Sequence, residues 1–191
     1  MLNEFSKRKK DVLSKLDKSS IGRWDEKISQ LCNRINSSGK YYTTSSCSGR
    51  IILMIDAEKK GEGLFVFVSH EKVPFEKLKE ELILALKKNK KIKFKLEPCI
   101  LHVSCETLED AEHIYEKAKL AGWKKSGIIG IKNGFTVELN STEKLEFPII
   151  QNKKVLVNEE FLKIVLDEAN KKLEKSWGKI EKLYKLLNKS L

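Results

Sequence analysis

Eight consecutive residues, Thr43-Thr44-Ser45-Ser46-Cys47-Ser48-Gly49-Arg50, gather five hydroxyls, a thiol, a glycine and a guanidinium. Glycine lets the backbone come close to a ligand, and arginine can give two parallel N–H donors to a carboxylate or phosphate. The run suits an anion or the polar edge of a ligand. A Ser/Thr-rich strand end that binds nothing has the same composition. The apolar residues 51–55 follow, so the cluster stands where a polar strand end feeds the interior.

Other reactive groups are dispersed. Cys47 beside Arg50 has the electropositive neighbour that favours a thiolate nucleophile, with His70 or His102 as a base. His70 ends an apolar strand. His102 lies between Leu101 and Val103, so alternation sends it to the opposite face from them. His113 reads as a surface residue of a helix. The three histidines form no HxH or HxxxH pattern, and the four cysteines (32, 47, 99 and 105) form no CxxC, so no metal site is expected. Asp25 falls in the first turn of a helix, where the dipole favours a carboxylate. It could equally bind a ligand amine or accept a proton. Glu97, before Pro98, is a second carboxylate of this kind.

Taken in order, Asp25-Glu26, Ser45 to Arg50, Phe67-Val68-Ser69-His70, Glu97-Pro98, Leu101-His102-Val103, Ser126-Gly127-Ile128 and Ala169-Asn170 give the chain a family likeness. It resembles the wybutosine-synthesis N4-methyltransferases over residues 11–182. The resemblance implies transfer of a methyl group from S-adenosylmethionine to a ring nitrogen of the tricyclic guanosine derivative at position 37 of phenylalanine tRNA. It implies that Ser45, Ser46, Cys47, Ser48, Gly49, Arg50, Ser126 and Gly127 bind the cofactor, with Arg50 and the hydroxyls of 45–48 holding either the cofactor carboxylate or an RNA phosphate. It also implies that Asp25, His70 and His102 belong to the catalytic set. Methyl transfer from a sulfonium to nitrogen needs no enzyme nucleophile, which argues for Cys47 as a wall of the site. Two other readings stay open: a tRNA-binding accessory protein without chemistry, and a Cys47-dependent hydrolase or acyl-transfer enzyme.

The composition bounds these readings. A chain of 191 residues with 40% hydrophobic and 34% charged content is long and apolar enough to fold around a substantial core. No apolar run approaches the ~20 residues of a membrane span. The basic N-terminus has no apolar segment after it, and four unpaired thiols fit a reducing compartment, so a cytoplasmic protein is expected. The net charge of +11 points to a polyanionic partner. Lysines concentrate at 7–10 and 87–91 without interleaved aromatics, so base stacking is not signalled there.

The elements that must carry these groups follow from periodicity. Helices are predicted over about 3–17, 24–37, 74–88, 107–121 and 158–187, with Thr107 and Asn158 as caps and Gly122 as a stop. Extended segments are predicted over 41–56, 64–68, 91–105 (broken at Pro98) and 145–150. A hairpin is expected over 123–140 with its turn at Asn133-Gly134. No G-x-G-x-x-G follows a first strand, so a doubly wound Rossmann-like fold is not expected. The fold class is α+β: antiparallel-rich sheets, a long C-terminal helix and two pseudo-repeated helix-strand-strand halves. One compact domain is expected, with halves at about 20–90 and 91–150. In that repeat Ser48-Gly49 corresponds to Ser126-Gly127, and both face one cleft.

Overall fold

The computed structural model of the protein describes residues 3–15, 25–58, 61–132 and 134–189. Leu16, the break at 19–22, Trp24 and the turn residue Asn133 lie outside these. Among the described residues, helices α1 (Glu4–Leu13), α2 (Glu26–Ser37), α3 (Phe75–Leu86), α4 (Leu108–Ala121) and α5 (Glu159–Asn188) accompany nine strands in two antiparallel sheets. The expected α+β class and 30-residue C-terminal helix are present. Among the described residues, no helix is long and apolar enough to cross a membrane.

The chain divides into two compact units, each threaded from separate segments. The first comprises residues 1–48, 99–142 and 176–191; the second comprises 49–98 and 143–175. Neither follows the consecutive halves at 20–90 and 91–150. The reason is local. The segment 41–56, expected as one extended region, is two strands, β1 (Tyr41–Cys47) and β2 (Arg50–Ile55), in different sheets. Gly49 between them has φ +100°, a conformation that glycine adopts without a Cβ clash. Pro98, which cannot donate a ladder hydrogen bond, marks the second crossing, between β4 (Ile92–Glu97) and β5 (Ile100–Cys105).

In the first unit the sheet order is β1-β5-β7-β6, with β6 at Gly127–Gly130 and β7 at Phe135–Asn140. One face carries Leu101, Val103, Cys105, Val137 and Leu139, all fully buried. They pack with Ile28, Leu31 and Ile35 of α2, Ile114 and Ala118 of α4, and Ile180, Leu183 and Leu187 of α5. Thr107 caps α4 by accepting from Asp110 N (3.1 Å), and Gly122 stops the helix at φ +96°. The sheet's opposite face, where alternation puts His102, is polar.

In the second unit the order is β3-β2-β4-β8-β9, with β3 at Phe65–Ser69, β8 at Leu145–Gln151 and β9 at Lys154–Val155. Leu53, Phe94 and Phe147 form one row of the sheet. The Phe94 and Phe147 rings stack at 5.2 Å, and Phe161 of α5 meets Phe147 edge-on at 6.1 Å. The alternate residues Lys93, Lys95 and Glu97 stand on the other face. Asn158 caps α5, its Oδ1 accepting from Phe161 N at 2.8 Å.

Candidate active site

A β-bulge decides which hydroxyl of the Ser/Thr run reaches His102. Tyr42 and Thr43 oppose Ser104 and Val103, but the next pair is Ser45 with His102, so Thr44 is the extra residue. Asn36 of α2 holds this point. Its Oδ1 accepts from Thr43 N (2.8 Å) and its Nδ2 donates to Thr43 Oγ1 (3.0 Å). Without the extra residue Thr44 would oppose His102, because a one-residue slip moves each side chain to the other face.

The register then runs across the whole sheet. Ser45 opposes His102, His102 opposes Glu138, and Glu138 opposes Gly127. Directly opposed residues of antiparallel strands share a face. The polar face thus brings Ser45, His102, Glu138 and Gly127 into one row. His102 Nε2 lies 2.9 Å from Glu138 Oε2. A carboxylate only accepts, so Nε2 carries the proton and the lone pair of the neutral ring is on Nδ1. The adjacent row holds Cys47, Ile100 and Asn140.

Two features of this face are unfilled by the fold. Asn140 Oδ1 is buried and has no hydrogen-bond partner among the described residues. A Cβ built on Gly127 would meet nothing within 4 Å. Gly127 has no positive φ, so neither backbone conformation nor packing demands glycine there.

The remaining candidates are placed as follows. Asp25 is the N-cap of α2, its Oδ1 accepting from Lys27 N (3.2 Å). Its Oδ2 accepts from Ser48 N at 2.9 Å. The expected helix-start position is present, and the carboxylate also anchors the end of β1. It comes within 4.8 Å of Cys47 Sγ. Ser46 opposes Leu101, so it is turned from the polar face. Ser48 is fully buried, its Oγ without a partner among the described residues. Ser126 Oγ donates to Trp123 O (2.7 Å) and accepts from Asn140 N (3.3 Å), which fastens the start of β6.

In the second unit, Arg50 Nε donates to Glu97 Oε2 at 2.8 Å, and the guanidinium lies 5.0 Å from the Phe65 ring centre. Arg50 heads a run of alternating charges. Lys95 reaches Glu97 (3.6 Å) and Glu146 (3.8 Å), and Lys93 reaches Glu146 (3.6 Å) and Asp56 (2.8 Å). The hydrogen bond from Lys93 holds the Asp56 carboxyl below the usual range. His70 follows the last residue of β3 and is half-buried. Asn170 steadies the segment after it, accepting from Val73 N (2.9 Å) and donating to Val73 O (3.0 Å). That bond pair accounts for the Ala169-Asn170 block. A cleft of about 390 Å³ beside it is lined by Lys72, Pro74, Asp167 and Lys171.

His113 departs from the surface reading. It is half-buried, with Nε2 lacking a partner among the described residues, and burial lowers its pKa from the usual imidazole value. Sequence reasoning missed Glu138 and Asn140. Their signal was the alternation of Thr136, Glu138 and Asn140 with Val137 and Leu139, three polar residues on one strand face.

Comparison with known proteins places the chain in a family. The family model described as Methyltransferase TYW3 matches residues 7–189. A Pyrococcus abyssi protein named tRNA(Phe) 7-((3-amino-3-carboxypropyl)-4-demethylwyosine(37)-N(4))-methyltransferase 2 is 39% identical over 168 residues, 86% of this chain and 80% of that protein. The human tRNA wybutosine-synthesizing protein 3 homolog is 36% identical over 196 residues, 98% of this chain and 74% of that protein. Among solved structures, the PH1069 protein from Pyrococcus horikoshii superimposes with a TM-score of 0.84 at 30% identity, covering 98% of this chain and 99% of that one. With residues 7–189 matched by the family model, the chain belongs to the methyltransferase TYW3 family.

Proposed function

We propose that this protein transfers a methyl group from S-adenosylmethionine to N4 of the tricyclic 4-demethylwyosine nucleoside at position 37 of tRNA(Phe). The observation that supports the chemistry best is the row Ser45–His102–Glu138–Gly127 on the polar face of the first sheet. It carries a hydroxyl, a fixed imidazole, a carboxylate and a stretch of bare backbone within a family of methyltransferases.

The residues present fit the cofactor. S-adenosylmethionine has an ammonium and a ribose diol that need acceptors, and a carboxylate that needs donors. Glu138 and the unpartnered Asn140 Oδ1 are acceptors, and the Ser45 hydroxyl is a donor. At Gly127 the backbone is open to a ligand, since a Cβ there would meet nothing within 4 Å. The cofactor supplies the electrophilic methyl group.

The protein's own part is positioning and proton transfer. Glu138 holds the imidazole through Nε2–H, which leaves His102 Nδ1 as the acceptor for the proton that N4 gives up. Asp25 holds the end of β1, and with it Ser45 and Cys47, against the start of α2. A reacting nitrogen held in line with the methyl group avoids most of the entropic cost of a bimolecular encounter. The test uses purified protein, S-adenosylmethionine labelled in its methyl group, and tRNA from cells arrested before this step. Label should appear in the nucleoside at position 37. Calorimetry that finds no cofactor binding would favour the accessory-protein reading. Turnover lost in Cys47→Ala but kept in His102→Ala would favour the thiol enzyme.

A further inference from the structure

The positive charge of this protein is not evenly available. Across the second sheet, Lys93, Lys95 and Lys144 each meet a carboxylate from Asp56, Glu97 or Glu146 within 4.0 Å. Lys72, Lys77 and Lys79 pair with Glu174, Glu81 and Glu159. Seven lysines of the same unit join no ion pair among the described residues: Lys87, Lys88, Lys90, Lys91, Lys153, Lys154 and, on α5, Lys175. All are exposed.

The topology brings the first six to one end of the sheet, whereas Lys175 lies along α5. Residues 87–91 connect α3 to β4, which begins at Ile92. Ile92 is paired with Ile150 of β8, and Gln151 is paired with Lys154 across the β8–β9 turn. The two lysine-bearing turns therefore leave the sheet at adjacent ends of neighbouring strands. Asp56, whose N–H donates to Lys91 O, is the acidic neighbour here, and its carboxylate is paired with Lys93.

The β8–β9 turn adds an independent sign. Asn152 and Lys153 have φ +52° and +57°, the left-handed pair that a two-residue hairpin requires. Asparagine suits that conformation, and glycine is the usual second residue. At Lys153 a lysine holds the positive φ that the turn imposes, so its side chain leaves the sheet at this end.

We propose that residues 87–91 and the Asn152–Lys154 turn form one edge that binds the phosphodiester backbone of the tRNA substrate. This rests on the tRNA reading above and assigns its docking surface. Lysines meeting phosphates release condensed counterions, so each phosphate left unneutralised lowers the slope of log affinity against log salt by ~0.7–0.9.

The experiment compares two variants with equal charge change. K88E/K90E/K153E alters the edge, whereas K175E/K182E/K189E alters exposed lysines of α5 and its C-terminal end. Binding of unmodified tRNA(Phe) transcript is measured by filter retention between about 50 and 200 mM KCl. Thermal melting confirms that both variants are folded, and S-adenosylmethionine affinity is measured in parallel. The edge variant should weaken tRNA binding at least tenfold more than the α5 variant, with its slope reduced by ~2–3, the sum expected for three phosphates. Cofactor affinity should be unchanged. Equal weakening by both variants would show that only net charge matters and would overturn the edge. So would wild-type tRNA affinity in the edge variant, including the case where it instead loses binding to phosphatidylserine vesicles. A wild-type protein that binds tRNA through this edge but transfers no methyl group would leave the edge standing and remove the catalytic reading.

Discussion

Asp25 Oδ2 accepts the amide hydrogen of Ser48 at 2.9 Å while Oδ1 caps the helix that Asp25 begins. A residue 8% exposed thus ties the first turn of α2 to the end of β1, 23 residues away. Removing it leaves a buried N–H unpaired and a helix uncapped. Asp25→Ala should cost about 1–3 kcal/mol of stability, read as a lower urea midpoint. Asp25→Asn keeps an acceptor and should cost less. An Asp25→Ala protein as stable as the wild type would refute the anchoring role.

His102→Ala should lower kcat by ~10²–10⁴, the usual contribution of a positioned base, while the melting temperature changes little because the ring lies on the polar face. His102→Ala with undiminished kcat would remove it from the proton path. The half-buried His113 should behave in the opposite way, with His113→Ala affecting stability more than turnover.

Arg50→Ala should reduce methylation more than Cys47→Ser. Arg50 carries the guanidinium of the motif, and Cys47 has no required chemical step. A double-mutant cycle with Glu97→Ala separates the two roles of Arg50. If the loss in Arg50→Ala disappears in the Glu97→Ala background, the guanidinium serves only its ion pair. If it persists, Arg50 acts on a ligand.

Glycines 49 and 127 should respond differently to alanine. At φ +100° an added Cβ strains the backbone, so Gly49→Ala should destabilise the fold by ~1 kcal/mol or more. Gly127 has ordinary backbone and open space, so Gly127→Ala should leave stability unchanged. Its effect should appear as a raised KM for cofactor or tRNA. Identical kinetics in Gly127→Ala would mean that the space over β6 is not a binding surface.

Burial, followed by the Asp110 carboxylate, pushes the Cys105 thiol from its ordinary 9.0 up to about 12. A raised folded-state value means that the native protein holds a proton that the unfolded chain releases first. The associated stability is complete below pH 9 and is lost as pH rises from about 9 to about 12. Cys105→Ala should flatten the fall of the urea midpoint over that range. An equally steep fall in the variant would assign it to other groups.

Much of the scaffold is legible in residue types. The caps at Thr107 and Asn158, the stop at Gly122 and the break at Pro98 are local chemistry, and each stands where its side chain or ring dictates. His102 falls on the polar face because strand alternation is strict between Leu101 and Val103. The apolar stripe of α5 is visible at helical spacing, although Leu166 and Leu183 are also buried, because a 30-residue helix presents more than one line of packing.

The site is less legible. The Thr43–Arg50 run is one block in sequence but divides between two units, since Gly49 turns the chain into another sheet. Its hydroxyls do not act together. The bulge at Thr44 puts Ser45 beside His102 and turns Ser46 away, and Ser48 is buried against Asp25. That bulge depends on Asn36, a residue of another element, and the partnership of His102 with Glu138 depends on the pairing of β5 with β7. Local propensity, capping and charge are properties of neighbouring residues, so the sequence alone determined the elements, the fold class, the family likeness and the basic character. Strand register and sheet membership are set by pairing between distant segments, so only the tertiary structure decided which side chains share a face and which lysines keep their charge unmatched.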